Sequence, residues 1–191
     1  LSHIKNLNEI FKAIKLALSD DGILILEDPS LLECLKKVAY DQFYCEHIYV
    51  FSTIALSKVL KNFNLEIFDL NILNTHGGSA RYFIKKKDNK KYKINKKVKQ
   101  EITKERKFGL HKFSTYQSFS KRVEASKSRL INILKKLKKE NKTIIGYGAT
   151  AKSCTVLNYC KIDNNLIKYF LDTTPDKINK YLPGSKIKII K

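Results

Sequence analysis

Methionine and tryptophan are absent from the 191 residues, and only four of the 38 basic residues are arginine. Without Met the sequence has no initiator. Leu1-Ser2-His3-Ile4 runs straight into a helix signal, so the natural start is expected upstream. No signal peptide is visible, and no apolar run approaches the length of a membrane span. The four cysteines, Cys34, Cys45, Cys154 and Cys160, form no C-x-x-C pair. That spacing argues against a zinc site in this chain. Free thiols in a reducing compartment are the simpler reading, and the expected location is the cytoplasm. The shortage of arginine bears on the net charge of +20. Nucleic-acid readers lean on arginine for bidentate contacts, whereas this charge is almost all lysine. It reads mainly as solvated lysine faces, and neither nucleic acid nor a membrane is expected as a partner. A positive cleft would still suit a nucleotide diphosphate.

What is present reads as alternating helices and strands. Asn6 can cap a helix over 6–19, with Glu9 at capping-box spacing and Leu7, Ile10, Phe11, Ile14 and Leu18 on one face. Ile23 to Leu26 is a short apolar run, as in a strand buried on both faces. Glu27-Asp28-Pro29 closes it at the carboxyl end, where ligands sit in open α/β sheets. Helices are expected over 31–38 and 53–62, and strands over 65–73 and 81–86. Residues 85–107 are rich in Lys, free of Gly and poor in apolar residues, which reads as a linker or solvated helix. A long helix over 116–140 follows, then a strand at 143–145, a helix over 151–159, a strand at 166–171 and a third strand at 186–190. The expected division is 1–86, a linker over 87–112, and a second domain over 113–191.

Two constellations carry chemistry. Tyr44-Cys45-Glu46-His47 places a phenol, a carboxylate and an imidazole within four residues, in a stretch (40–51) with five Tyr or Phe among twelve. His3 lies upstream and His76-Gly77-Gly78-Ser79-Ala80-Arg81 downstream. This is a set of groups able to move protons. The glycine pair permits a bulged turn or close approach of backbone to a ligand, and Arg81 could pair with a carboxylate or phosphate. The bland alternatives are packing for the ring residues, a simple hairpin for the glycines and a structural ion pair for Arg81. The second constellation, Gly146-Tyr147-Gly148-Ala149-Thr150-Ala151-Lys152-Ser153, stands after a strand and before a helix. It fits the alanine-ended dinucleotide fingerprint. A helix start with Lys152 beside it favours an anion. Asp172 lies 26 positions past Gly146, a loose fit to the acidic partner of that fingerprint.

Taken in order, six segments resemble the NDP-hexose C-methyltransferase family. They are Leu1-Ser2-His3-Ile4, Glu27-Asp28-Pro29, Tyr44-x-Glu46-His47, His76-Gly77-Gly78-Ser79-x-Arg81, Gly146 to Ser153, and Asp172-Thr173-Thr174-Pro175-x-Lys177 with Pro183-Gly184. They span nearly the whole chain. The resemblance implies an α/β architecture: the C-terminal half of a class I (Rossmann-like) methyltransferase sheet, then a second, truncated Rossmann-like α/β domain. It implies S-adenosylmethionine (SAM) as cofactor, with the main binding loop expected before Leu1. Any zinc would belong to an N-terminal module that this chain does not carry. It implies a keto-deoxysugar nucleotide as substrate and a base that removes the proton beside the ketone, leaving an enolate to attack the methyl group.

That chemistry needs a base within hydrogen-bond reach of the proton and donors aimed at the enolate oxygen. Imidazole suits the first role. By resemblance His47 or Tyr44 is the base, Glu46 tunes or positions it, and His3 is a polar group of the active site. His76, Gly77, Gly78, Arg81, Gly146, Gly148, Thr150 and Lys152 are carried over as substrate-binding positions. The fragment alone is expected to be inactive. The alternatives are an NAD-type oxidoreductase or nucleotide-binding module built on the Gly146–Gly148 loop, and a basic nucleic-acid module. The last expects aromatics interleaved with the basic residues, and the Lys-rich stretch holds only Tyr92 and Phe108.

Overall fold

The structure is a computed structural model that describes all residues, Leu1–Lys191. The chain divides into two compact units, each α/β. One comprises 1–39 with 45–118, the other 40–44 with 119–191.

The first unit opens with α1 (Leu7–Ala17), capped by Asn6, whose side chain accepts the N–H groups of Asn8 and Glu9. Its apolar stripe buries Phe11 completely. β1 (Ile23–Pro29) follows, then α2 (Leu31–Lys37), capped by Ser30 and stopped by Val38 in the left-handed region. α3 (Thr53–Lys61) starts at the cap Ser52, and β2 (Leu65–Leu73) and β3 (Ser79–Lys86) complete the sheet. The strand order is β1-β3-β2, with β3 antiparallel to both neighbours. β1 and β2 therefore run the same way and end at the same edge. Phe11, Leu56, Leu60, Leu65, Tyr82 and Ile84 are at most 1% exposed and make the core.

The stretch expected as a linker over 87–112 is structured. Asn95 caps α4 (Lys96–Phe108), and the Asn95 N–H donates to the Phe68 carbonyl at 2.7 Å. Tyr92 stacks on Phe68 with ring centroids 4.9 Å apart. α4 packs against β2 and α3, burying Val98, Glu101 and Glu105. Composition alone misleads here because two of the three buried side chains are carboxylates with partners. Glu105 accepts the N–H groups of Thr53 (2.6 Å) and Ile54 (2.9 Å) at the start of α3.

α5 (Phe113–Lys139) begins in the first unit and runs into the second. There β4 (Gly146–Tyr147), β5 (Phe170–Leu171) and β6 (Ile189–Ile190) form a three-stranded parallel sheet in the order β4-β5-β6, with α6 (Ala151–Cys160) between β4 and β5 in the chain. Leu157, Cys160, Ile162, Leu182 and Ile187 pack its core. The ladder includes Gly146, which the sequence reading placed in the turn after the strand. Gly146 pairs with Phe170, and a Cβ there would lie 2.2 Å from the Phe170 ring. Gly146→Ala is thus expected to cost the second unit about 2–3 kcal/mol, as overpacking does. A thermal melt that matches wild type would refute this.

None of the four cysteines forms a disulfide, and Cys34 and Cys160 are buried. No helix is long and apolar enough to cross a membrane.

Candidate active site

The carboxyl end of β1 organises the first unit's candidate site. Side chains alternate along a strand, so Glu27 and Asp28 leave it on opposite faces. Asp28 is buried, and its Oδ1 accepts the Ser2 hydroxyl at 2.8 Å and the Ser2 N–H at 3.2 Å. The Ser2 carbonyl in turn accepts the N–H groups of Ile48 (2.9 Å) and Tyr49 (3.3 Å). His3 follows Ser2 in the chain, and Glu46-His47 precede Ile48. Residues 43 positions apart are thereby brought together. His3 Nδ1 lies 3.7 Å from Glu46 Oε2, and the His3 and His47 rings meet edge to face with centroids 5.1 Å apart. More than half of each side chain of the His3–Glu46 pair is exposed, at 55% and 62%. The cluster is open to a ligand and holds two imidazoles and a carboxylate, groups able to donate or accept hydrogen bonds. Tyr44 belongs to the segment 40–44, which packs with the second unit.

On the other face Arg81 donates to Glu27 Oε2 from Nε (3.0 Å) and Nη2 (2.8 Å), and the Thr75 hydroxyl donates to Oε1 at 3.0 Å. The Arg81 guanidinium, with Thr75 second, holds the Glu27 carboxyl below the usual carboxylate range. Arg81 is thus committed to an ion pair within the sheet. His76, Gly77 and Gly78 form a tight turn with φ of 50°, 85° and 131°. Lys37 Nζ donates to the Gly77 carbonyl at 2.7 Å, and the Ser30 N–H to the Gly78 carbonyl at 3.0 Å. A Cβ at Gly78 would lie 2.6 Å from Glu33 Cβ. Close backbone approach is required here, and the partner in the structure is α2.

In the second unit the loop between β4 and α6 contains Gly148, at φ 80°. Thr150 caps α6 by accepting the Ser153 N–H, while the Ser153 hydroxyl donates to the Gly148 carbonyl at 2.7 Å. Asp172, just past β5, accepts the N–H of Ala149 (2.8 Å) at Oδ2 and that of Thr174 (2.8 Å) at Oδ1. Lys177 Nζ lies 3.2 Å from Oδ2. The motif Asp172-Thr173-Thr174-Pro175-x-Lys177 is therefore a clamp on the glycine loop. Pro183-Gly184 docks on α6 in the same manner. The Asn158 side chain donates to the Pro183 carbonyl at 3.0 Å, and Gly184 leaves no room for a Cβ beside it. Tyr147, Lys152 and Ser153 line a cavity of about 400 Å³ whose walls include Leu157 and Phe170. The loop can present a cation and a partly apolar surface to a ligand.

Hydrogen bonds from Thr174, then from Ala149, and the Lys177 ammonium hold Asp172 far below the usual carboxylate range. A lowered folded pKa means stability that is present above the unfolded value of about 3.9 and lost as pH falls toward the folded one. Wild type is expected to be more stable than Asp172→Asn at pH 7. The difference should shrink below about pH 4. Denaturant melts from pH 7 to pH 2 that show a constant difference would contradict the assignment.

The geometry can be set beside known proteins. Residues 74–191 match the family described as C-methyltransferase C-terminal domain. The chain belongs to the C-methyltransferase family. The matched region of this C-methyltransferase chain begins at Asn74, so it takes in β3 and α4 of the first unit as well as 119–191 of the second. The chain is also similar to C-methyltransferase NovU of Streptomyces niveus, with 29% identity over 188 residues. That alignment covers 98% of this C-methyltransferase chain and 44% of the relative. The chain thus spans less than half the length of the curated relative it matches.

His3, Glu46 and His47 stand out in the sequence, whereas Ser2 and Asp28, whose hydrogen bonds tie these segments together, do not. The available signal was the adjacency of Ser2 to His3, together with an acidic pair at a strand's carboxyl end.

Proposed function

We propose that this chain is part of an enzyme that methylates a ring carbon beside the ketone of a nucleotide-linked deoxysugar. The observation that carries the reading is the open His3–Glu46–His47 cluster at the carboxyl end of β1. In support, β3 lies antiparallel between two strands that run together, as expected for the end of a class I methyltransferase sheet. The second unit, with β4, a glycine loop and α6, is read as Rossmann-like.

In this reading His47 or Tyr44 takes the proton from the carbon beside the ketone. The electron pair moves onto the carbonyl oxygen, where nearby donors stabilise the enolate. Glu46, 3.7 Å from His3 Nδ1, tunes or positions the base. His76, Gly77, Gly78 and Arg81 border the sugar. In the second unit Gly146, Gly148, Thr150 and Lys152 are read as substrate-binding positions, with Lys152 able to oppose negative charge. SAM would supply the methyl group. The one glycine before β1, Gly22, closes a turn on Ser19, and its crowded position offers no cradle for that cofactor. The main SAM-binding loop is read as lying outside these residues, and the chain is read as inactive alone. The Asp172 carboxylate on the Ala149 N–H weighs against a dinucleotide pyrophosphate at that position, because it occupies a donor such a ligand would use.

The test uses the full-length protein and a ketosugar nucleotide in deuterated water. Deuterium should enter the carbon beside the ketone, and added SAM should place a methyl group there. The 191 residues alone should transfer none. Reduction of the substrate by NADH, or methyl transfer by the fragment, would overturn the reading.

A further inference from the structure

We propose that Asp28 is a positioning residue that sets both imidazoles of the cluster through Ser2. Asp28 is 7% exposed and Ser2 is 1% exposed, so their contacts are shielded from water. Both donors of Ser2, its hydroxyl and its N–H, go to one oxygen of Asp28. The Leu1 nitrogen lies 3.2 Å from the other. Hydrogen bonds to an ionised acceptor are roughly twice as strong as neutral ones. Ser2 is therefore held from one side by a carboxylate, while its carbonyl takes the N–H groups of Ile48 and Tyr49 on the other.

The chain geometry makes this a relay. His3 is one residue after Ser2, and His47 is one residue before Ile48. Fixing Ser2 fixes the backbone at both. The edge-to-face contact of the two rings at 5.1 Å is the result. A further tie between these segments, the Tyr49 hydroxyl to the Lys5 carbonyl at 3.2 Å, is exposed, so water competes for it. Without Asp28, two buried donors of Ser2 lose their acceptor. Ser2 is then expected to turn toward solvent and carry its carbonyl away from Ile48. That the imidazoles act on a substrate rests on the function proposed above. Their spacing does not.

The experiment is proton NMR on this chain. In wild type an Overhauser effect is expected between the rings of His3 and His47. It should disappear in Asp28→Ala, with the Ile48 amide exchanging at least about tenfold faster, the factor that accompanies loss of one hydrogen bond to a charged group. Asp28→Asn keeps an oxygen acceptor and should restore both signals. Tyr49→Phe should leave both unchanged. The Phe11–Phe63 ring contact, at 5.5 Å in the core, should persist in every variant and separates loss of the relay from loss of the fold. If Asp28→Ala does not fold, Ser2→Ala removes the hydroxyl arm alone, and a weakened histidine contact there supports the proposal. A histidine contact unchanged in the variant that folds would overturn it. In the full-length enzyme Asp28→Ala should lower kcat more than it raises KM. An intact relay without any activity would overturn the proposed function and leave the positioning role standing.

Discussion

In a full-length enzyme carrying this chain, His47→Asn is expected to lower kcat by about 10²–10⁴-fold while KM changes little. Asparagine keeps a polar group of similar size and can still hydrogen-bond, but it cannot accept a proton at neutral pH. Binding that depends on shape and polarity survives, and the step that needs a base does not. Tyr44→Phe is the paired variant. The one that abolishes solvent deuterium exchange at the carbon beside the ketone identifies the base. Exchange at the wild-type rate in both would remove both from that role and leave the cluster with binding alone.

Glu105→Ala is expected to destabilise the first unit by roughly 3 kcal/mol in urea titration, through two orphaned donors at the start of α3. The Thr53 and Ile54 N–H groups lie where a helix has no internal acceptors, and Glu105 is 1% exposed. Water does not readily replace it. Lys91→Ala, which removes an exposed ion pair with Asp21, should cost less than about 1 kcal/mol. Burial pushes the Glu105 carboxyl above its ordinary value, against the lowering effect of the two N–H donors. A raised folded pKa gives stability that is fully present below the unfolded pKa and lost as pH rises through the folded one. Wild type should therefore lose stability relative to Glu105→Gln as pH rises through that point. An alanine variant as stable as wild type would show that α4 is held by Val98 and Ile102 without the carboxylate.

These two residues illustrate how unevenly the sequence can be read. His47 was visible because a tyrosine, a carboxylate and an imidazole in four residues form an unusual local pattern that resembles a family. Glu105 was hidden in a lysine-rich stretch that looks solvated. Its partners are backbone groups 51 and 52 positions earlier. Backbone N–H groups look alike in any sequence, so no pattern announces which of them a distant carboxylate will cap. The same holds for Asp28. It was legible as the end of a strand, and Ser2 as the neighbour of a histidine, but their pairing was not.

Local chemistry gave reliable expectations elsewhere. Asn6 and Ser52 cap α1 and α3 as their side chains suggest, and β2 runs over Leu65–Leu73 as its alternation suggests. The glycine loop stands between a strand and a helix, but two ladder pairs later than expected, because Gly146 and Tyr147 pair with Phe170 and Leu171 and the Phe170 ring occupies the space a side chain at 146 would need.

The sequence by itself determined that this is an α/β chain of the C-methyltransferase family, and where most of its helices and strands lie. Capping, alternation and motif order act over a few residues and need no knowledge of the fold. Only the tertiary structure decided that Arg81 answers Glu27, that Asp172 clamps the glycine loop, and that His3 and Glu46 meet across 43 residues. Those outcomes depend on which polar groups are buried together. A buried carboxylate must find donors wherever the packed chain places them.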